Sequence, residues 1–93
     1  MTSTSFASVW DAIEDTPALA ENMRLRSAMM MALKEHILGQ GLTQIQAAKL
    51  LGITQPRVSD LLRGKIDLFG LDSLVNMLAA AGLRVRMEIG RAA

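Results

Sequence analysis

The chain has 93 residues, 51% hydrophobic and 20% charged, with ten Lys and Arg, nine Asp and Glu, one His and no Cys. A chain of this length closes around one core without metal or disulfide support, and the missing cysteines remove thiolate chemistry and Cys-based zinc sites while fitting a reducing cytoplasm. The longest apolar run, AMMMAL, falls far short of the ~18 residues that cross a bilayer, and residues 1–9 carry no basic side chain for a signal peptide, so a soluble, unprocessed cytoplasmic protein is expected.

The first element predicted is a short acidic amphipathic helix. In SFASVWDAIED, Phe6, Val9, Trp10 and Ile13 fall at i, i+3, i+4 and i+7, and Asp11, Glu14 and Asp15 point elsewhere. Residues 1–22 carry four acidic and no basic side chains, so this end of the chain repels DNA phosphates. The apolar stripe has two possible uses. It packs on the chain's own helices, or it stays available to a basic protein partner, with Trp10 as the aromatic anchor.

Thr16 followed by Pro17 reads as the N-cap and first residue of the next helix, which runs through ALAENMRLRSAMMMALKEHIL to Gly39 and Gly41. Its spacing buries Leu19, Met23, Met30, Leu33 and either Ile37 or Leu38. Thr43 caps QIQAAKLL, which Gly52 ends, and only two residues later Thr54 caps QPRVSDLLR, which Gly64 ends. Helices joined so tightly cross steeply, and Ala47 and Ala48 let them approach. With Val58, Leu61 and Leu62 turned inward, Pro56, Ser59, Asp60 and Arg63 lie on the far side, flanked by Gln55 and Arg57. A helix-turn-helix with an exposed second helix follows. The charge agrees: residues 43–65 carry a net +3, against −2 for residues 1–42 and 0 for residues 66–93, as expected where one face meets phosphate.

The pattern T-Q-x-x-x-A-x-x-x-G-x-T-Q-x-x-V-S-x-x-x-R-G-K, carried by Thr43, Gln44, Ala48, Gly52, Thr54, Gln55, Val58, Ser59, Arg63, Gly64 and Lys65, resembles the helix-turn-helix of Cro and phage-repressor-type proteins, the XRE superfamily. The match covers about a quarter of the chain. The surrounding stretches SVWDAIEDTP, AENMRLRS and GKIDLFGLDSLVNMLAAAGLRV are similar to short regulators of the HigA antitoxin type. The resemblance assigns Gln44, beside the cap Thr43, and the free amides there to a phosphate. It assigns Gln55, Pro56, Ser59 and Asp60 to the major groove, and Arg63 and Lys65 to the DNA backbone. Pro56 departs from the polar residue many relatives place there; it meets a thymine methyl but cannot hydrogen-bond a base edge. Asp60 either accepts from a cytosine amino group or pairs with Arg57 and Arg63 three residues away. Arg57, at the edge of the face, reaches either a guanine or a phosphate.

After the loop KIDLF, Leu71, Leu74, Val75 and Leu78 form another helical stripe that Gly82 stops. The period then changes to strict alternation, with Leu83, Val85, Met87 and Ile89 against Arg84, Arg86 and Glu88, which predicts a strand. A single strand leaves its backbone unpaired, so pairing with a second copy across a twofold axis is expected. Leu83, Val85, Arg86, Met87, Glu88 and Ile89 would then form the dimer interface. The expected fold is all-α, a bundle of about five helices containing the helix-turn-helix, plus this C-terminal β-strand. Its three parts are an acidic segment over 1–15, the DNA-binding domain over 16–82, and the dimerisation strand and tail over 83–93.

Other chemistry is weighed and set aside. His36 is the only histidine and has no second ligand or nucleophile beside it, so it reads as a surface or interhelical residue. Met29, Met30 and Met31 point 100° apart on a helix and cannot converge on one metal; they fill gaps between helices. No glycine-rich phosphate loop is present, and neither a cofactor nor an enzymatic activity is expected. Of the functions that remain, the leading one is a DNA-binding repressor of a palindromic operator, working as a homodimer. The resemblance implies an antitoxin that also neutralises a small basic, RNA-cleaving toxin; the alternative is a solitary or phage-derived repressor.

Overall fold

The computed structural model describes residues 16–91. They form helix α1 (Pro17–Gly39), α2 (Gln44–Leu51), α3 (Gln55–Leu62), a single 3-10 turn (Ile66–Leu68) and α4 (Leu71–Ala80). The start of α1 is built as its sequence dictates. Thr16 takes extended backbone angles, its hydroxyl accepts from the Leu19 amide at 3.2 Å, and Pro17 occupies the position where an amide would go unpaired. On the exposed face of α1, Arg24 pairs with Glu21, and its hydrogen bond holds the Glu21 carboxyl below the usual carboxylate range.

The core follows from the apolar spacing. Helix α1 contributes Met30, Leu33 and Ile37, α2 contributes Ala47 and Leu51, α3 contributes Val58 and Leu61, and α4 contributes Leu74, Met77 and Leu78. Among the described residues no polar or charged side chain is fully buried, so packing of hydrocarbon holds the helices together. Several details differ from the periodicity: Leu19 and Met23 of α1 and Leu71 of α4, expected inward, are only half-buried and outside the core. Ile37 takes the core position that Leu38 also matched, leaving Leu38 61% exposed, and Met77 replaces Val75 on the inward stripe of α4. Phe69, which sits in a loop with no periodic neighbours, is at 0% exposure the largest fully buried side chain among the described residues. No helix among the described residues is long and apolar enough to cross a membrane.

The expected five helices and C-terminal strand are not what the described residues contain: they hold four α-helices and no strand. The expected helix around Phe6, Val9, Trp10 and Ile13 lies outside the described residues. Leu83 closes α4, its amide donating to the Leu78 carbonyl at 2.8 Å, but residues 84–91 take no regular structure. Alternation sorts side chains onto two faces, whereas a strand exists only where a neighbouring backbone accepts and donates its ladder bonds, and residues 16–91 offer none. Val85 and Met87 instead share an open cleft with Met29 of α1 and Val75 and Ala79 of α4, and Glu88 and Arg91 face Pro17, Glu21 and Arg24 across a second. Met87 and Ile89 are 77% and 86% exposed.

Candidate nucleic-acid interface

The interface is assembled by caps. At the start of α2 the Thr43 hydroxyl accepts from the Gln46 amide at 3.1 Å while the Gln46 side chain accepts from the Thr43 amide at 2.9 Å, a closed capping box. The amides of Gln44 and Ile45, in the first turn, have no intrahelical acceptor and leave the helix start electropositive. Helix α2 ends at Gly52, whose φ of +70° belongs to the left-handed region that a side chain disfavours. That reversal lets Ile53 donate back to the Ala48 carbonyl at 3.1 Å and sends the chain directly into the next cap. There the Thr54 hydroxyl accepts from the Arg57 amide at 3.3 Å, with Pro56 fitting the first turn of α3.

Because Val58 and Leu61 are fixed in the core, the opposite side of α3 must face outward. Gln55 and Pro56 are exposed at its start, Ser59 and Asp60 are half-buried along it, and Arg63 and Lys65 are exposed at its end. The structure thus brings together all of the residues expected on this face except Arg57, with Thr43 and Gln44 at the start of the neighbouring helix. Asp60 adopts the ion-pair alternative on one side: its carboxylate accepts from Arg63 at 3.2 Å and lies 3.7 Å from the Lys65 ammonium. Such exposed pairs contribute little to stability, but they hold two cations at the end of the helix where a phosphate would approach.

Arg57, expected to reach a guanine or a phosphate, is engaged within the protein. It turns away from the outward face, donates to the Leu68 carbonyl at 2.8 Å and lies over the Phe69 ring, 4.3 Å from its centroid. A second arginine, Arg26 of α1, donates to the Ile66 carbonyl at 3.3 Å on the same 3-10 turn and to the Met23 sulfur. Neither contact was legible from helical periodicity, because both cross between elements. The available signal was Phe69 itself, a large apolar residue in a loop that also holds Lys65 and Asp67.

These features agree with what the chain resembles. No curated protein matches it. A solved structure assigned to the XRE family of transcriptional regulators is 33% identical, with a TM-score of 0.72 over 78% of this chain and 82% of that one. The family profile described as a helix-turn-helix domain matches residues 12–90, far more than the quarter of the chain that carries the motif. With its two capped helices, tight glycine turn and exposed second helix, the chain belongs to the helix-turn-helix domain family of DNA-binding regulators.

Proposed function

We propose that the chain is a sequence-specific repressor that inserts α3 into the major groove of a palindromic operator. The observation that carries this reading is the outward face of α3, where Gln55, Pro56 and Ser59 lead and the cations Arg63 and Lys65 close the far end. Gln55 hydrogen-bonds a base edge, Pro56 meets a thymine methyl, and Gln44 with the free amides of α2 holds a phosphate. A palindrome requires two reading helices, so the active form is a cytoplasmic homodimer. The exposed apolar side chains Val85, Met87 and Ile89, with Leu83 at their base and Arg86 and Glu88 as complementary charges, supply its contact surface without invoking a strand. The acidic, Trp10-bearing sequence of residues 1–15 further supports a role as an antitoxin that covers a small basic toxin. Co-purification with the product of the neighbouring reading frame tests that role, and its absence leaves a solitary repressor.

The DNA reading is tested with two substitutions in the full chain, titrated against a duplex from its own upstream region and against random DNA. Gln55→Ala should cost roughly 1–3 kcal/mol on the cognate duplex and relax specificity. Lys65→Ala should weaken all sequences alike and lower the slope of log affinity against log salt by about one per protomer. An equal loss on both duplexes for Gln55→Ala removes it from base reading. A wild-type chain that prefers no sequence overturns the function itself.

A further inference from the structure

We propose that Arg57 is a positioning residue that sets the first turn of α3 for DNA and does not itself touch DNA; this rests on the DNA-binding reading above. Its guanidinium is committed on two sides. One N–H donates to the Leu68 carbonyl at 2.8 Å and one face lies over Phe69, 4.3 Å from the ring centroid. Phe69 has no exposed surface, so the arginine forms part of the wall of the core. To reach a phosphate or a guanine, Arg57 would have to strip a charged donor from a carbonyl and uncover a buried ring. Arg63 and Lys65 make no such sacrifice, since their partner Asp60 retains 22% side-chain exposure and their own side chains stay largely open to solvent.

The position of the contact explains what it controls. Helix α3 has eight residues, and its core anchors Val58 and Leu61 lie beyond its first turn. The residues proposed to read bases, Gln55 and Pro56, are in that first turn, held by the Thr54 cap and by Arg57. The turn that Arg57 grips is itself gripped by Arg26 from α1 at the Ile66 carbonyl, 3.3 Å away. Two arginines from two helices therefore fasten one 3-10 turn, and through it the start of the reading helix is tied to the long helix α1. A planar fork suits this task, because it stacks and donates sideways at once, whereas a lysine ammonium is a point charge that does one or the other.

The conservative variant is the deciding experiment. Full-length wild type, Arg57→Lys and Arg57→Ala are compared for affinity on the upstream duplex and on its single-base variants across a salt series, with hydrogen exchange of the Leu68 and Phe69 amides measured in parallel. Arg57→Lys, which keeps the charge, should lose about tenfold in affinity on every duplex of the set. It should also leave the salt slope unchanged and speed exchange at both amides while the other helices stay protected. Arg57→Ala should behave alike. If Arg57→Lys binds as wild type while Arg57→Ala lowers the slope by about one per protomer, Arg57 is a phosphate contact and the proposal is overturned. A loss confined to one base pair overturns it as well, by making Arg57 a base reader. If Arg57→Ala fails to fold, Arg57→Lys alone decides. If wild type selects no DNA, the positioning role falls together with the DNA reading, and faster exchange in Arg57→Lys then marks the contact as purely structural; unchanged affinity and exchange in Arg57→Lys sink this proposal alone.

Discussion

Residues 43–70 and residues 83–91 sit on the same small domain and are held in opposite ways. In the first stretch nearly every turn has its own fastening: a capping box at Thr43, a hydroxyl cap at Thr54, ion pairs around Asp60, and two arginines on the carbonyls of the 3-10 turn. In the second, after Leu83, side chains such as Met87 and Ile89 stand in solvent beside an open cleft. Polar fastenings are concentrated in the first stretch and apolar exposure in the second. The stretch proposed to meet DNA is fastened many times over, and the stretch proposed to meet another protein chain is the one whose apolar side chains lie exposed.

Substitutions in the two stretches should therefore differ by an order of magnitude, and the largest effect should come from Phe69. Phe69→Ala removes the largest side chain buried among the described residues and the ring under Arg57, and should cost about 3–5 kcal/mol in chemical unfolding, enough to unfold much of a domain of this size. A cost below about 1 kcal/mol would mean that the 64–70 loop is not part of the core, and the contrast would fail. Next in size, Thr54→Ala should cost about 1 kcal/mol by exposing the first turn of α3, with hydrogen exchange rising there before it rises in α1. The smallest effect belongs to the tail. Met87→Ser and Ile89→Ser, measured dilute, should change stability by no more than about 0.5 kcal/mol. At high concentration the same pair should shift sedimentation toward monomer. A dilute-state loss as large as that of Thr54→Ala would show that the tail is packed in solution, and would sharpen the comparison into one of partners instead of rigidity.

Much of the domain was readable before any coordinates. The threonines before Pro17, Gln44 and Gln55, and Gly52 between two short apolar runs, mark three of the helix starts and the turn, because capping and left-handed backbone are local matters involving residues within four positions of each other. The outward face of α3 was equally legible, since fixing Val58 and Leu61 inward leaves Pro56, Ser59, Asp60 and Arg63 only one direction. The strand over residues 83–89 failed for the converse reason: its alternation was real, but its backbone partner lies in no part of the described chain.

Three capped helix starts and the glycine turn were thus legible because their bonds close within one turn of helix, and the outward face of the second motif helix was legible because its apolar positions must be buried. That Phe69 is a core residue, that Ile37 and not Leu38 points inward, and that Arg57 grips the Leu68 carbonyl were settled by packing between elements. Those outcomes depend on where a distant element comes to rest, and a flexible side chain such as arginine, with several directions open to it on an isolated helix, takes the one in which a neighbouring element offers both a carbonyl and a ring.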